Sequence, residues 1–192
     1  MTLSNALTVI RIFLSFLFLW FLFREGLFSR LAALVFFLVA SLTDFYDGQL
    51  ARLKQQVSSF GALLDPIADK ILVLSALIGF VQMGLIPAWM VVLVLTRELV
   101  MTGVRLLALT QGKLLPAASI GKHKTATQMG GILWVLSILV LRELPKEWIP
   151  QAWAPAAVLL KGSVYWVMFG VVWVTVSSGL LYLWRNRFLL RK

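Results

Sequence analysis

Residues Gly162 to Trp184 read GSVYWVMFGVVWVTVSSGLLYLW, an apolar run without a single charge. At about 1.5 Å per residue, an α-helix of this length crosses the roughly 30 Å hydrocarbon core of a bilayer. The run lacks the alternation of apolar and polar residues that marks a membrane β-barrel strand. It therefore decides the class: an all-α integral membrane protein. Working outward, the last span covers about Ala156 to Trp184, and five more apolar runs precede it. They are Asn5 to Phe23, Leu31 to Ala51, Phe60 to Met83, Ala88 to Leu109 and Thr125 to Leu141. Turn signals separate them, Gly26 after the first and Gly84 with Pro87 after the third. The expectation is a bundle of about six transmembrane helices forming one domain over residues 1–192.

Composition agrees. Of 192 residues, 60% are hydrophobic and 14% charged, against about 25% charged in an ordinary soluble domain. A water-soluble enzyme and a disordered regulator are both excluded. The chain has no Cys, which excludes disulfides, thiol nucleophiles and thiolate zinc sites. The single histidine, His123, argues against a His-based metal site or triad. Net charge is +10. In so apolar a chain this excess points to anionic lipid head groups and phosphate-bearing substrates rather than nucleic acid. The first run contains Arg11 and no small-residue cleavage pattern follows it, so it is read as a span and not as a signal peptide.

Lys and Arg in the short connectors set the orientation. One side holds Arg52, Lys54, Lys113, Lys122, Lys124, Arg185, Arg187, Arg191 and Lys192. The other holds Arg24, Arg30, Arg142, Lys146 and Lys161. The richer side, with both termini, is expected to be cytoplasmic, and Trp148 and Trp153 fit an aromatic belt on the far side.

All four aspartates of the chain, Asp44, Asp47, Asp65 and Asp69, fall within 26 residues at the ends of the second and third spans that meet the cytoplasm in this orientation. Asp44 and Asp47 are three apart and Asp65 and Asp69 four apart, so each pair shares a helix face. The two spans are antiparallel neighbours, so the pairs can face each other. Four carboxylates at close range do not all stay ionised without a cation. Hard oxygen donors select Mg²⁺, Mn²⁺ or Ca²⁺, and a pair of such ions suits phosphoryl transfer. The plainer alternative is a set of structural ion pairs with Arg52, Lys70 and Arg11. Gly48, Ala51 and Gly61 lie between the acids and permit close approach of a backbone or a flat ligand. Arg52 adds a fixed fork for phosphate oxygens.

Together these residues read Asp44-x2-Asp47-Gly48-x2-Ala51-Arg52-x8-Gly61-x3-Asp65-x3-Asp69. The pattern resembles the signature of the CDP-alcohol phosphatidyltransferase family at all eight fixed positions, a match whose chance at a given start is about 10⁻¹⁰. Looser likenesses point to the branch of the family whose acceptor is glycerol 3-phosphate. They are Asn5-Ala-Leu7-Thr8-Val-Ile-Arg11, Thr96-Arg97-Glu98-Leu99 and Ile120-Gly121-Lys122-His123-Lys124-Thr125.

The resemblance implies that Asp44, Asp47, Asp65 and Asp69 bind one or two divalent ions, Mg²⁺ or Mn²⁺, and that Asp69 is also the general base. It implies that Gly48, Ala51, Arg52 and Gly61, with Asn5 and Thr8, line the CDP-diacylglycerol pocket. It implies a homodimer in a bacterial inner membrane with its site open to the cytoplasm. A second phosphate, on glycerol 3-phosphate, needs further cations, and Arg97, Arg105, Lys122 and Lys124 are assigned to it. Arg97 has an alternative partner in Glu98. Within the family the rival acceptors are inositol phosphate, serine and phosphatidylglycerol. Outside it, a divalent-cation transporter leaves Gly48, Ala51, Arg52 and Gly61 unexplained, and a non-catalytic scaffold leaves the clustered acids unexplained.

Overall fold

The computed structural model describes the backbone of residues 3–54, 59–110, 120–144 and 154–187. Side chains are described for 8–43, 67, 68, 70–108, 110, 125–144, 159, 160 and 162–187. Six α-helices follow one another: α1 (Leu3–Leu22), α2 (Leu27–Lys54), α3 (Ser59–Gln82), α4 (Ala88–Thr110), α5 (Ile120–Arg142) and α6 (Ala154–Arg185). There is no strand among the described residues.

The helix ends follow from local chemistry. After α3 the Gly84 amide donates to the Val81 carbonyl (2.9 Å) and the Leu85 amide to the Phe80 carbonyl (2.9 Å). This pair of bonds closes the helix only if one residue turns left-handed, and Gly84 does so with φ of 67°. Pro87 then sits just ahead of α4 and its carbonyl accepts from the Met90 amide at 3.1 Å. Gly26, with φ of 99°, makes the corresponding turn between α1 and α2.

α1 packs on α2 and α3, α5 and α4 both pack on α6, and α2 joins the two groups by packing on α5. Phe18, Phe37, Phe80, Leu136 and Met168 are buried in the shared core, and the rings of Phe18 and Phe37 meet at 5.5 Å between centroids. Gly131 lets α5 approach α6, since a Cβ there would lie 2.5 Å from Val171 Cγ2. At one end of the bundle Arg30, itself buried, ties three helices. Its Nη1 donates to the Leu22 carbonyl and its Nε lies 3.5 Å from Glu143 Oε1.

The outer surface is apolar. Phe13, Phe16, Trp20, Phe28, Trp166, Trp173 and Trp184 are all more than 60% exposed. Water does not tolerate so continuous an apolar belt on a monomer, and lipid does. Two apolar stretches among the described residues, Thr125–Arg142 and Gly162–Arg185, are long enough on their own to cross a membrane. Those of α1, α2 and α3 are shorter, Thr8–Leu22, Leu27–Thr43 and Lys70–Gln82.

Candidate active site

Asp44, Asp47, Gly48, Ala51 and Arg52 lie on the last turns of α2, and Gly61, Asp65 and Asp69 on the first turns of α3. Asn5 lies on α1, and Lys122 and Lys124 on the first turn of α5. The side chains of all these residues lie outside those the structure describes, so their mutual distances do not enter the description. Among the described residues there is no group of three His, Cys, Asp or Glu that could hold a metal.

What is described is the frame around them. Thr8 and Arg11 on α1 are fully buried, as is Ala68. The Ser15 hydroxyl donates to the Arg11 carbonyl at 2.8 Å. Three residues before Asp44, the Ser41 hydroxyl approaches Met129 Sδ of α5 at 4.0 Å. Immediately after Asp69, the Lys70 ammonium donates to the Thr102 hydroxyl of α4 at 3.0 Å. That hydroxyl in turn donates to the Glu98 carbonyl at 2.9 Å.

A cavity of about 130 Å³ lies between α3, α4 and α5. Among the described residues, its polar lining comes from Lys70, Glu98, Thr125 and Gln128, and the rest is aliphatic apart from Met129. The cavity lining lies next in sequence to two of the segments the sequence marks, and one of its residues reaches a third. Lys70 adjoins Asp69, Thr125 adjoins Lys124, and Met129 touches α2 one turn before Asp44.

The two arginines of α4 part company. Arg97 leans on α6, where a Cβ at Gly179 would lie 2.9 Å from Arg97 Cγ. Its Nη1 lies 3.3 Å from Glu98 Oε1, so the alternative partner expected from the sequence is the one found. Met101 and Val104, further along the same face, pack with Tyr182 of α6. Arg105 is exposed. Seven residues beyond Glu98, it lies on that residue's face of α4, which borders the cavity. Gln128 escaped the reading of the sequence. The signal was present: it is an amide within an apolar span, one turn after Thr125, where a polar side chain is costly without a task.

Comparison with known proteins adds to this geometry. The sequence model of the CDP-alcohol phosphatidyltransferase family matches residues 1–176. A Bacillus subtilis protein named CDP-diacylglycerol–glycerol-3-phosphate 3-phosphatidyltransferase is 40% identical over 158 residues, covering 82% of this chain and 75% of the relative. A Mycobacterium tuberculosis protein named probable phosphatidylglycerophosphate synthase is 44% identical over 140 residues, 71% of this chain and 66% of its own length. A Rickettsia bellii protein bearing the same name as the Bacillus relative is 41% identical over 141 residues, 72% of this chain and 75% of the relative.

Proposed function

Because the chain belongs to the CDP-alcohol phosphatidyltransferase family, we propose that it transfers the phosphatidyl group of CDP-diacylglycerol to glycerol 3-phosphate, giving phosphatidylglycerophosphate and CMP. The observation that carries this reading is the 40% identity, over 82% of the chain, with a relative named for that reaction. The eight fixed positions from Asp44 to Asp69 support it. The acceptor hydroxyl oxygen bonds to the phosphatidyl phosphorus, the bond from that phosphorus to CMP breaks, and CMP leaves with the electron pair. The hydroxyl proton passes to a base, the role we assign to the Asp69 carboxylate.

Four carboxylates on two helices, in a chain without thiols, form a donor set suited to Mg²⁺ or Mn²⁺, one or two ions. Asp44, Asp47, Asp65 and Asp69 would hold such ions, whose positive charge would offset the negative charge of the donor's diphosphate. The protein's own residues do the rest. Gly48, Ala51 and Gly61 leave room for the donor's nucleotide, Arg52 meets its phosphates, and Asn5 and Thr8 complete that wall. Arg105, Lys122 and Lys124 meet the acceptor phosphate, and Arg97, held against Glu98, stands behind them. The site opens to the cytoplasmic face of a bacterial inner membrane, and the working unit is a homodimer.

The reading is tested by CMP release from CDP-diacylglycerol with purified protein and Mg²⁺ across a panel of acceptors. Glycerol 3-phosphate should be the fastest. Faster turnover with serine, inositol phosphate or phosphatidylglycerol would overturn the acceptor and leave the family standing.

A further inference from the structure

We propose that the cavity between α3, α4 and α5 seats the three-carbon backbone of the acceptor, and that Gln128 reads its central hydroxyl. The inference rests on the phosphatidyl-transfer reading above and adds to it a basis for acceptor choice.

Size is the first argument. The cavity holds about 130 Å³, and one of about 150 Å³ accommodates a benzene ring of six heavy atoms. The glycerol part of glycerol 3-phosphate also has six heavy atoms. An inositol ring with its hydroxyls has twice as many.

Charge is the second. Lys70 and Glu98 bring opposite signs to the lining. The Lys70 ammonium is spent on Thr102 at 3.0 Å, and the Glu98 carboxylate lies 3.3 Å from Arg97. A balanced wall of this kind suits a neutral polyol better than a second anion, and the anion is left to the cations at the edge. Of the neutral polar groups on the described wall, the Thr125 hydroxyl and the Gln128 amide, the amide is the buried one, in a residue only 5% exposed. A primary amide both donates and accepts, so it can satisfy both sides of one hydroxyl. Val73, Leu74 and Val94 face the carbon chain.

Position is the third. The cavity borders Lys70, next to the proposed base Asp69, and Thr125, next to the proposed phosphate ligand Lys124. A polyol between them has its reacting hydroxyl at one end, its phosphate at the other and its central hydroxyl along the wall.

The test compares sn-glycerol 3-phosphate with 3-hydroxypropyl phosphate, which keeps the primary hydroxyl and the phosphate but lacks the central hydroxyl. Full-length protein in detergent is supplied with CDP-diacylglycerol and Mg²⁺, and CMP release gives kcat/KM for each. The parent should prefer glycerol 3-phosphate by about tenfold or more, as sites built to bond a hydroxyl do. Gln128→Leu should bring the ratio to within about twofold of unity, the loss of one hydrogen-bonded pair. Gln128→Asn, which keeps the amide, should retain part of the preference. A purely structural role for Gln128 would slow both acceptors and leave the ratio unchanged, and that result overturns the proposal. So does a parent that fails to distinguish the two compounds, a result that needs no variant to fold. CMP release with serine or inositol phosphate, and with neither of these compounds, would overturn the acceptor reading and this proposal together.

Discussion

Asp69 carries two proposed tasks, and substitution separates them. Asp69→Asn keeps the size of the side chain but cannot take the acceptor proton. Loss of a general base typically costs about 10² to 10⁴ in rate, so kcat should fall by at least that range while CDP-diacylglycerol remains bound. Activity within a few-fold of the parent would refute the role, and loss of nucleotide binding would make Asp69 chiefly a metal ligand. The cations of α4 and α5 give a different signature. Arg105→Ala or Lys122→Ala removes a charge-assisted hydrogen bond of roughly 1.5–3 kcal/mol. The KM for glycerol 3-phosphate should rise about tenfold to hundredfold, well beyond any change in that for CDP-diacylglycerol. Equal effects on both substrates would point to a general structural role. The sequence placed Arg97 and Arg105 in one group because both are cations inside one span. It could not show that Arg97 is packed against α6 while Arg105 is exposed, because that depends on how α4 is turned against α6, where Gly179 receives the Arg97 stem.

Helix contacts make their own predictions, and two adjacent glycines of α5 separate packing from propensity. A Cβ at Gly131 would come 2.5 Å from Val171 Cγ2, whereas one at Gly130 would meet nothing within 4 Å. Val171 is β-branched and has little freedom to turn away. Gly131→Ala should therefore destabilise by about 1–3 kcal/mol of overpacking, less whatever helix propensity returns. Gly130→Ala should be neutral or stabilise by up to about 1 kcal/mol. Thermal unfolding in detergent should show Tm falling for the first and holding or rising for the second. Equal shifts would contradict the α5–α6 contact. The helices themselves were largely legible, since apolar runs in lipid leave the backbone little choice but helix. Their ends were less so. The second span was expected from Leu31, yet α2 begins at Leu27, because Arg30 caps the Leu22 carbonyl and pairs with Glu143 instead of ending the helix. The fifth was expected from Thr125, yet α5 begins at Ile120. Hydropathy marks where lipid begins, and the backbone continues its hydrogen bonds beyond that edge.

For the molecule as a whole, α3, α4 and α5 enclose one cavity between them, and an apolar belt faces outward. The eight-position motif was readable in the sequence because its residues are close along the chain. The cavity was not, because Lys70, Glu98 and Gln128 come from three helices. Chelation tests the proposed donor set. Excess EDTA should abolish CMP release and added Mg²⁺ or Mn²⁺ should restore it, while full activity in chelator would refute the metal assignment. The most direct measurement follows the acceptor itself. Purified protein in mixed micelles is given CDP-diacylglycerol, Mg²⁺ and radiolabelled glycerol 3-phosphate, and the organic phase is counted. Label should enter the lipid phase in step with CMP release, one for one, and only when CDP-diacylglycerol is present. CMP released while the label stays in water would contradict phosphatidyl transfer to glycerol 3-phosphate.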